Sequence, residues 1–171
     1  SKILISDMAG SGKTFVLKKI RNELIATSSD NYVVYANFRD FSVDLVNEEF
    51  KDFQSFVCDR ILKLTSPLDV AIFNHFYTEN RVIVLLDGFD EISQVAKEKA
   101  IKLIKLHVHG KLLVTTRDYL EENLETSMNL TSFKLFPYTT LDQTQFIVQY
   151  WKKNTEFSIE LIQKCAEQLI T

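Results

Sequence analysis

Eight residues near the start of the chain decide its fold: Asp7-Met8-Ala9-Gly10-Ser11-Gly12-Lys13-Thr14. They follow an apolar run, Ile3-Leu4-Ile5, and precede a helical pattern that starts at Phe15. A strand, a glycine-rich turn, a lysine, a hydroxyl residue and a helix, in that order, are typical of a loop that binds phosphate. We therefore predict a phosphate-binding loop at this position.

Each part of this loop has a physical role. Gly10 and Gly12 let the backbone point its N–H groups at an anion, in conformations that a Cβ atom disfavours. The helix that follows directs the positive end of its dipole to the same place. Lys13 can reach the β- and γ-phosphates as a mobile charge, and Thr14 offers a hydroxyl group to Mg²⁺.

The pattern G-x-x-x-x-G-K-[ST] is broken at one position, because Asp7 stands where a glycine is expected. Asp7 lies at the strand exit, away from Lys13, so we expect the loop to tolerate it. The alternative is a chance Gly-Ser-Gly-Lys-Thr sequence in a flexible loop. The flanking strand and helix argue against that alternative.

The composition indicates one packed domain, with room for a small appendage. The chain has 171 residues, 46% of them hydrophobic, with only 4 Gly and 2 Pro, which argues against disorder. The net charge is −3, with acids and bases interspersed, so nothing points to nucleic acid as a partner. Cys58 and Cys165 lack metal-ligand spacing, which favours a reduced, cytoplasmic setting.

No apolar run is long enough to span a membrane, and no signal peptide is visible. We therefore expect no membrane partner. The chain begins almost directly on its first strand, and we expect it to be a piece of a longer protein.

Strand and helix patterns alternate along the chain. Strands are predicted at Lys2–Ser6, Tyr32–Phe38, Val82–Leu86, Lys111–Thr116 and Ser132–Phe136. Helices are predicted at about 14–26, 43–63, 67–77, 94–106, 141–151 and 158–170, with a polar turn at 27–31 and Gly110 as the signal that ends the fourth helix. This alternation predicts an α/β fold with a mostly parallel sheet covered on both faces.

A cluster of acids follows the third predicted strand. Asp87 comes directly after Leu86, at the carboxyl end of a buried strand, where ligands bind in open α/β sheets. There it would hold the Mg²⁺ bound to Thr14. Asp90 or Glu91 could orient or deprotonate an attacking water. The alternative for these acids is a solvated turn that caps the next helix.

Arg117 closes the fourth predicted strand, Leu112-Leu113-Val114-Thr115-Thr116. In sheets of this type that strand lies between the strands that carry the phosphate loop and Asp87. A guanidinium group at its exit could bind the γ-phosphate. The alternative is a surface arginine paired with Asp118.

These motifs together resemble the NACHT family of STAND ATPases, which includes the NOD-like receptors. The segment Asp87-Gly88-Phe89-Asp90-Glu91 resembles the family's Walker B motif, in which a small residue follows the first Asp and two more acids follow. Residues 8–14 resemble its Walker A loop, with Asp7 as the departure. Leu113–Arg117 resembles its sensor segment, and Phe38-Arg39-Asp40-Phe41 resembles the arginine-acid pair after its second strand.

The resemblance extends to the start of a helical domain, at Leu135-Phe136-Pro137-Tyr138. It implies a three-layer α/β/α P-loop NTPase fold with sheet order 5-1-4-3-2, a nucleotide-binding domain over residues 1–137 and a truncated helical domain over 138–171. The family's winged-helix domain would lie beyond Thr171, and the proline motif of the first helical domain is not recognisable. His75, His107 and His109 do not lie where the family's nucleotide-binding histidine belongs.

The resemblance also implies the function of a molecular switch. ADP would hold a closed state, and exchange for ATP would permit homo-oligomerisation, with effector and sensor domains flanking this one. Asp90, Glu91 and Arg117 would be catalytic, and Thr14 and Asp87 would bind Mg²⁺. The nucleotide would be contacted by Met8, Ala9, Gly10, Ser11, Gly12, Lys13, Thr14, Phe15 and Pro137.

Three functions remain open from the residues. The first is a slow ATPase, the second a scaffold that binds nucleotide without turnover, and the third a metabolic P-loop kinase, for which we find neither a lid nor an acceptor site. No Asn-Lys-x-Asp signature of GTPases is present, so adenine is favoured over guanine. Because the family's base pocket extends beyond both ends of this chain, we expect the 171 residues to bind nucleotide weakly.

Overall fold

Five apolar segments form the strands of one parallel sheet. In the computed structural model they are β1 (Lys2–Ser6), β2 (Tyr32–Asn37), β3 (Val82–Asp87), β4 (Lys111–Thr116) and β5 (Thr131–Phe133). Their order is β2-β3-β4-β1-β5, and every neighbouring pair is parallel. This confirms the predicted fold class and the predicted strand order.

The structure describes residues 1–27, 30–107, 109–137, 139–154, 156 and 158–170. It divides into two units, Ser1–Leu135 and Phe136–Thr171. Ser28 and Ser29 of the predicted turn, and Tyr138 and Thr171 of the predicted helical domain, lie outside the described residues.

Six α-helices accompany the sheet in the described part of the first unit. They are α1 (Lys13–Thr27), α2 (Ser42–Asn47), α3 (Phe53–Phe56), α4 (Pro67–Thr78), α5 (Gln94–Lys105) and α6 (Glu121–Met128). Short 3₁₀ turns follow three of the strands, at Phe38–Phe41, Phe89–Glu91 and Asp118–Leu120. Helix α4 begins at Pro67 as predicted, since proline is tolerated where the helix needs no N–H donor.

Strand β3, which lies between β2 and β4, is buried on both faces. All six of its residues are buried, and its side chains alternate between two apolar clusters. Ile83 and Leu85 pack with Leu17 of α1. Val84 and Leu86 belong to the larger cluster on the other face, together with aromatic residues that include Phe53, Phe56, Phe73 and Phe89. The sheet therefore forms the middle layer of the predicted three-layer fold.

The prediction of one long helix from Val43 to Lys63 is wrong. Helix α2 ends at Asn47, and Glu48 is extended, with φ −118° and ψ 155°. A separate helix, α3, begins at Phe53. The Asp52 side chain accepts the Ser55 N–H at 2.8 Å, and Ser55 Oγ accepts the Asp52 N–H at 3.2 Å. This reciprocal cap begins a helix at a point where apolar spacing alone suggested continuation. A π-helical turn, Val57–Ile61, follows α3.

Gly110 does not end the fourth predicted helix, which is a second correction. That helix, α5, ends at Lys105. Gly110 instead precedes β4 with φ +87°, and a Cβ atom there would lie 2.4 Å from the Val82 carbonyl oxygen. It is therefore needed for close approach to β3. The fifth strand covers Thr131–Phe133, where Ser132–Phe136 was predicted, and it pairs with Ile3–Ile5 of β1.

The second unit contains two helices, α7 (Thr140–Asn154) and α8 (Ile159–Ile170), which pack on each other. Thr139 caps α7, since its Oγ1 accepts the Asp142 N–H at 3.2 Å, and the Asp142 carboxylate accepts hydrogen bonds from the N–H and hydroxyl of Thr139. Ile162 and Ala166 of α8 are buried. None of the helices in the described residues has the length and apolarity needed to cross a membrane.

His107 is a buried titratable group of the first unit. It is 4% exposed, its Nδ1 lies 3.1 Å from the Tyr77 hydroxyl, and its ring packs on Phe53 with centroids 4.7 Å apart. Burial, followed by the positive charge of Lys2, lowers the pKa of His107 from 6.5 to about 4. The folded protein therefore holds this imidazole neutral.

We predict that His107 makes the protein less stable in mild acid. Below pH 6.5 the unfolded chain binds a proton at this residue that the folded chain refuses until about pH 4, so stability falls across this window as the pH falls. The loss attributable to His107 should approach about 3 kcal/mol. Urea unfolding from pH 7 to pH 4 should show a shallower pH dependence in His107→Phe than in the wild type.

His75 provides the matched control, because it is exposed. His75→Gln should keep the wild-type pH dependence. Equal slopes for His107→Phe and the wild type would show that other groups cause the acid sensitivity.

Candidate functional site

The loop between β1 and α1 turns at its glycines. Gly10 and Gly12 have φ angles of +79° and +92°, in the left-handed region that side chains disfavour. The Val16 N–H donates to the Gly12 carbonyl at 3.0 Å, at the start of α1. Earlier N–H groups therefore have no partner within the helix, and the positive end of its dipole lies at the loop.

Lys13 is held over the loop by the loop's own oxygen atoms. Its Nζ donates to the carbonyls of Asp7 at 2.7 Å and Met8 at 2.6 Å, and lies 3.4 Å from Ser11 Oγ. The Asp7 carboxylate accepts the Met8 N–H at 2.7 Å. The aspartate in the place of a glycine thus bonds to the adjacent backbone at the strand exit, and the Gly10–Gly12 part of the loop keeps its turn.

A cavity of about 480 Å³ adjoins this loop. It lies at the edge of the sheet where the parallel strands β1, β3 and β4 have their carboxyl ends. The predicted site residues that line it are Ala9, Gly10, Gly12, Lys13, Thr14, Phe15, Asp87, Asp90, Glu91 and Arg117. Segments far apart in the chain therefore meet at one site.

Asp87 is buried at the end of β3 and is held by hydrogen bonds from both neighbouring strands. Asp87 is only 2% exposed. The Thr115 hydroxyl of β4 donates to Oδ1, and the Tyr35 hydroxyl of β2 donates to Oδ2 at 3.3 Å. Thr115 Oγ1 also accepts the Gly88 N–H at 2.9 Å. Burial, and then the Asp87 charge, raise the pKa of Tyr35 to about 12, so this tyrosine stays a donor.

Arg117 pairs with Asp90 and not with Asp118. Arg117 Nε lies 2.9 Å from Asp90 Oδ2, and the two side chains are 48% and 7% exposed. The Asp118 carboxylate instead accepts the N–H of Tyr119 at 3.0 Å. Glu91, the acid next to Asp90, is exposed.

The sequence matches the NACHT domain family over residues 1–154. The chain belongs to the NACHT domain family. This confirms the resemblance that the Walker A, Walker B and sensor segments indicated. Among curated proteins, none matches the sequence.

Solved structures with a similar fold include two of the replication initiator DnaA and one of an ORC2 protein. Domain III of the DnaA protein from Thermotoga maritima is 17% identical with a TM-score of 0.63, over 98% of this NACHT chain and 68% of that one. DnaA bound to AMPPCP and single-stranded DNA is 18% identical with a TM-score of 0.54, over 97% of this chain and 50% of that one. The ORC2 protein of Aeropyrum pernix, in ADPNP–ADP complexes, is 15% identical with a TM-score of 0.57, over 98% of this chain and 50% of that one.

At these identities the likeness shows the fold alone, and the NACHT chain spans only half of the length of the latter two proteins. The fold and the family agree on one conclusion. The chain is a nucleotide-binding P-loop domain.

The residues of the cavity fit a nucleotide together with a divalent cation. Ionisable side chains of both signs line it: Lys13, Lys18, Arg117, Asp87, Asp90 and Glu91. Their formal charges cancel, so a polyphosphate would bring negative charge that these side chains do not balance. The Thr14 hydroxyl and the Asp87 carboxylate are oxygen donors of the kind that Mg²⁺ prefers, and Mg²⁺ takes its other ligands from phosphate and water. No cluster of three His, Cys, Asp or Glu side chains suited to a metal occurs among the described residues.

Two predicted contact residues of the first unit, Met8 and Ser11, do not line the cavity. Met8 is 67% exposed, and Ser11 contacts Lys13 within the loop. Pro137 belongs to the second unit, and its contact with nucleotide stays a prediction.

Sequence reasoning missed three residues of this NACHT site: Tyr35, Thr115 and Lys18. Lys18 lines the cavity, and it follows Thr14 by four residues, so both lie on one face of α1. That spacing was visible in the sequence. Tyr35 and Thr115 act through Asp87, and only the order of the strands reveals that role.

We predict that the Thr115 hydroxyl stabilises the fold, whereas the adjacent Thr116 hydroxyl does not. Both residues are buried, at 1% and 0% exposure. Thr115→Val removes one of the two hydrogen-bond donors to Asp87 and the acceptor of the Gly88 N–H, and should lower the free energy of unfolding by about 1–3 kcal/mol. Thr116 Oγ1 has no hydrogen-bond partner within the described residues, so Thr116→Val should have little effect or stabilise.

Urea unfolding of the two variants measures the difference directly. They make the same chemical change at neighbouring positions of β4. Equal losses in both would show that the hydrogen bonds to Thr115 contribute nothing net.

We predict that Lys13→Ala weakens binding of Mg-ATP by about 2–4 kcal/mol, the scale of losing a charged partner in a closed site. The fold should stay intact, because Lys13 is the first residue of α1 and does not belong to the core. Isothermal titration calorimetry measures the affinity. Lys19→Ala is the control, since Lys19 is exposed and pairs with Glu23 at 3.9 Å. An unchanged affinity in Lys13→Ala would refute a phosphate contact.

Proposed function

We propose that this NACHT domain is an ATP- and ADP-binding switch that hydrolyses ATP slowly with Mg²⁺. The observation that supports the proposal is the single cavity at which the phosphate loop, Asp87, Glu91 and Arg117 meet. Each is a group that phosphoryl transfer to water needs: a phosphate cradle, a metal ligand, an acid near water and a cation for developing charge.

The loop between β1 and α1 would bind the phosphates. The backbone N–H groups at the start of α1 and the ammonium group of Lys13 attract the phosphate oxygens. To bind them, Lys13 must share or exchange its hydrogen bonds to the Asp7 and Met8 carbonyls. Thr14 and Asp87 would hold the Mg²⁺, which when bound neutralises phosphate charge.

Hydrolysis needs a water molecule that is oriented toward the phosphate. Glu91 is exposed and lines the cavity, so its carboxylate can accept a hydrogen bond from water there. Arg117 supplies a guanidinium group that matches phosphate oxygens in geometry. Turnover by this site should be slow, because the carboxylate of Asp90 offsets part of the Arg117 charge that would otherwise stabilise the transition state.

The partners are proposed from the family. Nucleotide exchange would control homo-oligomerisation in a longer cytoplasmic signalling protein with effector and sensor domains, and the second unit would begin the helical domain. Adenine is proposed because GTPase signatures are absent. DNA is bound by the DnaA relative, but this chain carries 20 Lys+Arg against 23 Asp+Glu, so we do not propose nucleic acid as a partner.

A scaffold that binds nucleotide without turnover is the second candidate. The observation that favours it is the Arg117–Asp90 ion pair, which occupies two of the three predicted catalytic groups. Steady-state hydrolysis of ATP by the domain, measured with Mg²⁺ and with EDTA, separates the two functions. Metal-dependent turnover supports the switch, and its absence despite binding supports the scaffold.

We predict that substitutions of two acids separate binding from hydrolysis. Asp87→Asn should weaken Mg²⁺-dependent binding of ATP, because it removes the anionic metal ligand. Glu91→Gln should largely spare binding and lower the hydrolysis rate about 10²-fold or more, the usual contribution of a positioned acid-base group. Calorimetry measures the first effect and single-turnover hydrolysis the second.

Glu98→Gln serves as the control, since Glu98 lies on the exposed face of α5 and accepts a hydrogen bond from Gln94. If Asp87→Asn and Glu91→Gln both bind and hydrolyse ATP like the wild type, these acids are structural and the proposed roles are wrong.

A further inference from the structure

Asp90 and Glu91 are adjacent acids in different surroundings. Both line the cavity, and both lie in the 3₁₀ turn Phe89–Glu91 after β3. Glu91 is exposed, whereas the Asp90 side chain is only 7% exposed and its Oδ2 lies 2.9 Å from Arg117 Nε. From the sequence alone, Asp90 and Glu91 are equivalent candidates for the acid that orients water. In the structure, Glu91 faces solvent and the Asp90 side chain does not.

The Asp90–Arg117 pair joins two neighbouring strands at the site. Asp90 follows β3 and Arg117 follows β4, and these strands are paired in the sheet. A buried carboxylate needs a matched charge or hydrogen bonds, since burial removes its water. Arg117 supplies that charge, so the two side chains determine each other's position.

The ion pair uses only one edge of the guanidinium group. Its contact is through Nε, and an arginine carries four further N–H donors on its two Nη atoms. The Arg117 side chain remains 48% exposed while it lines the cavity. A phosphate could therefore bind the Nη edge without displacing Asp90.

The pairing also reduces the entropy that Arg117 loses on binding a ligand. A free arginine side chain populates many rotamers and loses that freedom when it binds a ligand. Anchoring at Nε removes part of that freedom before a ligand arrives, which is the general advantage of preorganisation.

We propose that Asp90 is a positioning residue that holds Arg117 for the third phosphate of a nucleoside triphosphate, so that the pair distinguishes triphosphate from diphosphate. This deepens the proposed function and rests on it. Asp90 thereby acts through Arg117, and Glu91 is left as the acid that faces water.

A double-mutant cycle tests the proposal on the full chain. The measured quantity is the ratio of dissociation constants for ADP and for AMPPCP, a non-hydrolysable triphosphate, both with Mg²⁺. Asp90→Asn should lower this ratio about threefold to tenfold, and so should Arg117→Gln. The double variant should have the same ratio as Arg117→Gln alone, because Asp90 has nothing left to position.

Asp118→Asn is the matched control. Asp118 follows Arg117 in the chain but accepts a hydrogen bond from Tyr119 instead, so its removal should leave the ratio unchanged. Thermal unfolding of each variant checks that the comparison is made on folded protein.

Several results would overturn the proposal. A higher ratio in Asp90→Asn would make Asp90 a competitor of the phosphate. Additive effects in the double variant would give the two residues separate roles. An unchanged ratio with slower hydrolysis would make Asp90 a catalytic acid in its own right. In each case the wild type still binds nucleotide, whereas failure of the wild type to bind either nucleotide would overturn the proposed function itself.

A measurement on the wild type covers the case in which Asp90→Asn does not fold. The Arg117 Nε–H resonance in ¹⁵N-labelled protein, assigned with Arg117→Gln, reports the ion pair. It should stay protected from exchange with solvent when either ADP or AMPPCP is bound. Loss of protection with AMPPCP would show that Arg117 leaves Asp90, and the proposal would be wrong.

Discussion

The buried carboxylate of Asp87 is the group on which the rest of the site depends. An unpaired charge in the interior is expensive, so it persists only when hydrogen bonds replace the lost water. Here they come from Thr115 on one neighbouring strand and Tyr35 on the other. A single carboxylate thus links β2, β3 and β4 at the edge of the sheet where the phosphate loop lies. Because this carboxylate is buried, β2 and β4 each need a residue with a hydrogen-bond donor that reaches Asp87.

A second constraint is the balance of charge at the cavity. Lys13 is bound to carbonyls of its own loop, and Arg117 is bound to Asp90. The cations are therefore held in place before a ligand arrives, and binding does not need to order them from solution. The same contacts compete with the ligand for those cations. Affinity for phosphate then depends on how much of each cation remains available, which for Arg117 is the Nη edge of its guanidinium group.

Much of the fold was predictable because it depends on local patterns. Continuous apolar runs separated by amphipathic segments are typical of a parallel sheet with helices on both faces, and β3 is buried along its whole length. The break between α2 and α3 was not predictable from periodicity, because the capping bonds between Asp52 and Ser55 interrupt a continuous apolar pattern. Gly110 was misassigned for a related reason, since its role is set by the Val82 carbonyl of another strand.

The sequence by itself determined the phosphate loop, the strand order through family resemblance, and the positions of Asp87, Asp90, Glu91 and Arg117 at the ends of strands. These follow from residue type and spacing along one segment. Only the tertiary structure decided that Arg117 pairs with Asp90 and not with its neighbour Asp118, that Thr115 and Tyr35 hold Asp87, and that His107 is buried against Tyr77. Such pairings join residues from separate elements, and they depend on which strands are adjacent, on register and on side-chain direction. Spacing along the chain carries none of that information, because the geometry arises only when the strands pack.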